Sequence, residues 1–461
     1  MENEIIKKAL YERYIEPTKK KREKYIGVEI EMPIVNLSEK PVDFSVVHNA
    51  ASEFIRHFGF DVTGRDDEGE IYSSANPENG DILSFDCSYN NLELSFGKEK
   101  SLHDIYSRFK EYYEYLQCIF AGYNYTLTGM GINPHRIYNH NVPIPNGRYR
   151  MLYHHLHSYR RYSHLPMYFH SYPEYGTFSS ASQVQLDVSY DSLPLFLNTF
   201  SKLEPIKALL FSNSVMLGEN EDILCCRDMF WENSTHGINP HNIGMYNYEF
   251  SSAEEVLSYL ESASVYCFER DDKYVNFAPT RLTDFFDKPN ITGEYYDNGE
   301  YKTAKFSPRL EDIKYLRTFK FIDLTFRGTA EFRSICTQPI KDSLCTAAFH
   351  LGLAAKLPEL SELFENDHVL YHKGYNAGEL RKLFICNNLP AIASPDEIYE
   401  LAVKVIDLSC DGLKARNLGE EKYLTPLYER AYKKTNPAKH LLELRDSGKS
   451  MKDIILEYAE V

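Results

Sequence analysis

The segment KYIGVEIEMPIV, residues 24–35, sets two glutamates into what otherwise reads as a buried strand. Ile26, Val28, Ile30 and Met32 alternate with Glu29 and Glu31. Side chains on a strand point to opposite faces in turn, so the two carboxylates stand side by side on one face. That repulsion needs a purpose.

The chain has 461 residues, long enough for a large core and for two or three domains or one elaborated one. Its composition, 43% hydrophobic and 14% aromatic, is that of a globular protein rather than a disordered one. A formal charge of -16 argues against nucleic-acid partners, whose phosphates require a basic surface. Acidic excess fits solubility or a carboxylate-lined pocket for cations. Nine scattered cysteines, without any C-x-x-C, read as reduced thiols of a cytoplasmic protein. Residues 1–24 hold no apolar run, so no secretory leader is expected, and no 18-residue apolar stretch suggests a membrane span. The basic cluster KKKREK (19–24) reads as a solvated lead-in.

Along the chain, helical spacing marks 44–58 and 101–121, and an apolar helix is expected over 205–217. Residues 63–81 are rich in turn formers. ILSFDCSYNNLELSFG (82–97) reads as a hairpin; 125–134, 182–190 and 329–339 read as strands, and from about 340 the pattern is mainly helical. Strands and helices do not alternate regularly, which favours α+β with an antiparallel sheet over a doubly wound α/β fold.

Carboxylates recur in this strand-like, partly apolar setting: Glu29, Glu31, Asp86, Glu93 and Glu331. Singly, each is accounted for by an arginine partner or an edge strand. Together they suit hard divalent cations, which bind carboxylate and phosphate oxygens and offset the repulsion. Arginines accompany them. Arg333 lies two residues after Glu331, Arg227 shares CCRDMFWEN with Trp231, the only tryptophan, and Arg148 and Arg150 fall in PNGRYRML. Guanidinium groups clamp carboxylates and phosphates in bidentate fashion, so the set points to metal-assisted phosphoryl chemistry. GMGINP is not a dinucleotide loop, the histidines at 154, 155, 157, 164 and 170 lack zinc spacing, and no G-x-x-x-x-G-K-[ST] loop is present.

In sequence order, YIGVEIEMPI, NLELSFG, LTGMGINP, IPNGRYRML, SQVQLDVSY, ALLFSNSVM, RDMFWEN and AEFRSICTQP resemble the glutamate–cysteine ligase family of the plant and proteobacterial type. The likeness runs from about residue 24 into the tail at 408–444. It implies a cupped antiparallel sheet lining the active site, with surrounding helices, similar to glutamine synthetase. The division it implies is a lead-in at 1–23, a catalytic core at 24–345 and a mainly helical part at 346–461. The family phosphorylates the side-chain carboxylate of glutamate with ATP and Mg²⁺, and the amine of cysteine then attacks the acyl phosphate.

By motif, Glu29, Glu31, Asp86, Glu93, Glu331 and Gln185 resemble ligands of two or three Mg²⁺ ions, with Glu29 and Glu93 also counted as catalytic. Arg333 would stabilise the transferring phosphoryl group and contact ATP. Arg227 would grip the α-carboxylate of glutamate, Trp231 would wall that pocket, and Arg148 and Gln185 would also bind substrate. The segment WENSTHG departs from the family, which usually has an Asp and an Arg there, and SIC replaces the GAD that commonly follows the E-x-R strand. The expected partners are glutamate, an amine such as cysteine, and ATP, with no nucleic acid or membrane, in a monomer or homodimer. Two rivals are a ligase joining glutamate or another acid to a different amine, and a non-catalytic nucleotide-binding relative.

Overall fold

The computed structural model describes residues 3–20, 23–246 and 248–461. Two residues of the basic cluster, 21 and 22, therefore lie outside the described residues. Up to residue 190 the strands are β1 (Ile26–Asn36), β2 (Asp61–Arg65), β3 (Ile71–Ala75), β4 (Ile82–Phe85), β5 (Asn91–Glu99), β6 (Tyr125–Leu127) and β7 (Ser182–Asp187). Beyond it lie β8 (Ile243–Gly244), β9 (Ser264–Arg270), β10 (Lys273–Arg281), β11 (Ile291–Asp297) and β12 (Glu300–Phe306). The last are β13 (Phe319–Lys320), β14 (Ile322–Leu324) and β15 (Thr329–Phe332).

Nine of these make one sheet, ordered β14-β15-β7-β1-β5-β4-β3-β2, with β6 also pairing β1. All its ladders are antiparallel. The fold is mixed α and β with antiparallel sheets, as the irregular alternation of elements indicated. β1 sits at the centre, between β5 and β7, because both of its faces have work. Val28, Ile30 and Met32 point with Leu92, Leu94, Val184, Leu186 and Phe332 into a fully buried apolar layer. The helices Leu102–Ala121, Leu193–Phe211 and Cys345–Ala355 cover that side of the sheet. Burying each such side chain contributes roughly 1.5–3 kcal/mol, which fixes the register, since a slip of one residue would expose the whole set.

The helix Phe44–Phe58 forms where its spacing indicated, because Asp43 caps its first turn by accepting from Ser45 N at 2.9 Å and Gly59 ends it in the left-handed region (φ 67°). The apolar helix instead runs Leu193–Phe211. Pro194 opens its first turn, Pro205 lies inside it, and 212–217 leaves the helix to bridge Cys225 through Ser214. The three expected strands are shorter than read, Tyr125–Leu127, Ser182–Asp187 and Thr329–Phe332. After Leu127 the chain passes so close to the 338–340 backbone that a Cβ on Gly129 would lie 2.3 Å from the Gln338 carbonyl oxygen.

The turn-rich segment 63–81 contains the edge hairpin β2–β3, and residues 264–306 form a separate four-stranded sheet, β12-β11-β10-β9. β10 of that sheet packs on the helix Gly147–His157. At the start of the chain, the helix Asn3–Leu10 and the turns after it bury Ile6, Leu10 and Ile15 in the main core. In the helical tail, Cys345–Ala355 crosses Pro395–Arg416 at Gly352 and Gly412, where a Cβ would meet partner backbone oxygens at 2.1 and 2.0 Å. Among the described residues no helix is long and apolar enough to cross a membrane.

Candidate active site

The second face of the sheet is polar and opens into a cleft of about 660 Å³. Register alone assembles it. Glu31 of β1 stands opposite Glu93 of β5, and Glu29 opposite Ser95 on one side and Gln183 on the other. Gln185 of β7 faces Glu331 of β15, which in turn faces Asp323 of β14. Asp86 joins the group from the bend after β4, where Cys87 holds a left-handed backbone (φ 62°), rare for a residue with a side chain. Glu29, Glu31, Asp86, Glu93, Arg148, Arg227, Trp231, Glu331 and Arg333 all line this one cleft.

Donors from the strands hold most of these carboxylates, and Tyr149 reaches Asp86 only at 3.5 Å. Glu31 Oε2 accepts from the Ala181 N–H at 2.7 Å and Oε1 from Gln183 Nε2 at 2.9 Å. Ser95 Oγ donates to Glu93 at 2.5 Å. Gln185 Nε2 donates to Glu29 at 3.0 Å and to Glu331 at 3.4 Å, while its oxygen accepts from Arg327 at 2.9 Å. Gln185 thus ties two cleft carboxylates together without lining the cleft. Arg333 Nη1 pairs with Glu331 Oε2 at 2.8 Å, which realises the spacing of the E-x-R motif although β15 ends at Phe332. Among the described residues, no three His, Cys, Asp or Glu side chains converge closely enough to hold a metal ion as they stand.

Electrostatics record the crowding. Burial, then the neighbouring Asp86 and Glu93, push Glu31 up to about 8, and burial with Asp86 pushes Glu93 up to about 7. Glu29 is raised well above the ordinary range by burial, Glu93 and Glu331, and Asp86 is raised by burial despite Arg148 and Arg333. Asp323 rises to about 6, again through burial. For Arg333, burial works against the charge, but Glu331, Asp323 and Glu29 outweigh it and hold the guanidinium protonated.

Beyond Glu31 the cleft changes character. Arg227 is 6% exposed, and its Nη1 and Nη2 reach only the carbonyls of Ser334 and Arg333, both at 3.5 Å. Its Nε has no partner, and no carboxylate lies within ion-pair range among the described residues. Trp231 stacks on Phe319 at 4.9 Å between centroids and meets Tyr175 edge-on at 5.1 Å. His236, held neutral by burial (lowered to about 3), sits 4.5 Å from Phe319 with its Nε2 unpartnered. Arg148 leans on Tyr149 at 5.3 Å, without an acidic partner among the described residues. Arg150 lies elsewhere, paired with Asp67 at 2.7 Å. The histidines at 154, 155 and 170 turn to different partners: His154 bonds Glu294, His155 Nδ1 bonds the Asn276 amide, and His170 bonds the Phe230 carbonyl.

The donor chemistry fits a hard cation. Oxygen ligands dominate, the carboxylates repel one another, and Gln183 Oε1 is buried with no partner. Gln183 was legible in SQVQLD, two residues before Gln185 on the same face; Asp323 and His236 carried no comparable signal.

No protein-family model and no curated protein sequence matches the chain. Among solved structures it superposes on a glutamate–cysteine ligase from Francisella tularensis, crystallised in complex with AMP. The TM-score is 0.50 at 12% identity, over 96% of this chain and 88% of that one. The chain has the fold of that glutamate–cysteine ligase. A bifunctional glutathione synthetase from Pasteurella multocida also aligns, at TM-score 0.44 and 11% identity, with 53% of its length covered.

Proposed function

We propose that the protein is an ATP-dependent carboxylate–amine ligase, best read as joining the γ-carboxylate of glutamate to the amine of cysteine. The observation that carries this is the row of carboxylates across β15, β1 and β5, facing one cleft that holds both Arg333, paired with Glu331, and Arg227, without an acidic partner among the described residues. In this reading the nine-stranded sheet is the cup of a glutamine synthetase-like site, formed by residues 24–345, with 346–461 as a helical part packed behind it. The free thiols suit a cytoplasmic setting, and the protein acts as a monomer or homodimer.

Two or three Mg²⁺ ions would be held by Glu29, Glu31, Asp86, Glu93 and Glu331, with Gln183 offering an amide oxygen and Gln185 ordering the set. When bound, they supply positive charge to the phosphate oxygens of the nucleotide. Arg333, kept charged and fixed against Glu331, lies where charge grows on the phosphoryl group during transfer. Arg227, with no acid of its own, takes the α-carboxylate of the donor, and Trp231 walls that pocket. Arg148 is free for a second carboxylate. The aromatic recess keeps water from the acyl phosphate until the amine attacks its carbonyl carbon and phosphate departs.

A second reading, in which a different amine or acid is joined, draws on WENSTHG, because His236 of that segment lines the cleft. Phosphate release measured over a panel of amines with glutamate and ATP separates the two. The primary reading requires cysteine to exceed the amine-free control; turnover only with another amine selects the second.

A further inference from the structure

At the wall of the cleft lies a group of four buried charges, of which Asp228 reaches the cleft lining. Arg381 comes from the helix Ala377–Phe384, Asp228 from Cys226–Glu232, and Glu204 and Lys207 from Leu193–Phe211. Arg381 Nε and Nη2 donate to the two oxygens of Asp228 at 2.7 and 3.0 Å. Its Nη1 donates to Glu204 Oε2 at 2.7 Å and to the Glu204 carbonyl at 3.0 Å, and Lys207 Nζ donates to Glu204 Oε1 at 2.5 Å. The guanidinium lies over Phe321, 4.5 Å from the ring centre. Its Nη2 also approaches the Ser334 carbonyl at 3.5 Å, the carbonyl that Arg227 Nη1 approaches at the same distance.

Stability is a poor explanation for this group. Desolvating four charges costs much of what their pairing returns, and buried ion pairs are often replaceable by apolar residues without loss. Position is the better one. Cys226–Glu232 has seven residues, too few to be a stable helix by itself, and it presents both Arg227 and Trp231 to the cleft. Arg227 has only long contacts of its own, so little that it touches holds it in place. Its neighbour Asp228, by contrast, is locked in two-point contact by a residue 153 positions away.

We infer that Arg381 is a positioning residue for Arg227. It fixes the short helix through its two-point contact with Asp228 and ties that helix to Leu193–Phe211 through Glu204, and so sets where the carboxylate-gripping Arg227 stands in the cleft. The inference rests on the ligase reading for the substrate it names, but the geometry it asserts does not. Lysine at 381 keeps the charge and loses the planar fork.

The test uses the full chain, with Arg381→Lys and Asp228→Asn, and reads the emission of Trp231, the only tryptophan, on the same helix as Asp228. Arg381→Lys is expected to shift Trp231 emission and to raise KM for the carboxylic acid substrate about tenfold or more, with the KM for ATP unchanged and kcat falling less. Asp228→Asn, which keeps shape and one acceptor, is expected to move both quantities the same way by a smaller factor. A lowered melting temperature with KM and Trp231 emission at wild-type values in both variants would overturn the inference, since that is a structural role alone. If the wild-type protein turns over no carboxylic acid, the ligase reading fails; unchanged emission in both variants then still refutes the positioning claim, and a shift in both supports it.

Discussion

Glu31 on β1 and Glu93 on β5 are register partners across the central ladder, yet neither carboxylate bonds the other. Both have higher pKa values in the folded chain, about 8 and about 7 against an ordinary 4.5, with burial as the largest cause and like charge added to it. The folded state therefore holds extra protons between pH 4.5 and about 8, and these groups make stability fall as pH rises through that window. A divalent cation among them needs the ionised forms. The melting temperature without metal should drop from about pH 6 to about pH 8.5, and the gain on adding Mg²⁺ should be larger at the higher pH. A Mg²⁺ effect independent of pH would mean that the cation binds elsewhere.

Removing one charge from the row should separate stability from turnover. Glu31→Gln keeps the shape, and its amide oxygen can still accept from the Ala181 N–H. Thermal denaturation at about pH 8 without metal should show the variant as stable as the wild type or more so, by on the order of 1 kcal/mol, while phosphate release falls at least about 10²-fold. A variant that unfolds easily yet retains specific activity would assign Glu31 to the scaffold.

On the roles proposed for them, Arg333 and Arg227 should fail differently. Arg333→Ala removes a fixed positive charge from the phosphoryl group in flight, so kcat should drop by about 10²-fold or more. Arg227→Ala removes ground-state grip on a carboxylate and should act chiefly on KM for the acid, with a smaller effect on kcat. Steady-state kinetics with the acid varied at saturating ATP makes the comparison. An exchanged pattern, KM for Arg333 and kcat for Arg227, would reverse their roles.

Much of the carboxylate row could be read from the chain because strand alternation is a local code. Glu29 and Glu31 in IGVEIEM, and Gln183 and Gln185 in SQVQLD, declare a shared polar face as soon as their neighbours are apolar. Glu331 and Arg333 were placed together by a spacing of two, and meet even though the strand stops between them. What stayed hidden depends on contacts between distant segments. Arg381 lies 153 residues from Asp228, in a helix whose own spacing speaks only of its buried side. His236 reaches the cleft through a short 3₁₀ turn, which has no apolar period to reveal it. The β9–β12 sheet escaped because β11 and β12 mix exposed polar residues with aromatics, which leaves the buried run of β9 without a partner legible in the sequence.

In the proposed reaction a carboxylate of the donor becomes an acyl phosphate, a mixed anhydride, before the amine arrives. Glutamate labelled with oxygen-18 in its γ-carboxylate tests it directly, with mass analysis of the phosphate released during turnover with ATP and the acceptor amine. One labelled oxygen should pass into each phosphate, with ADP as the other nucleotide product. Unlabelled phosphate, or AMP and pyrophosphate in place of ADP and phosphate, would contradict the account.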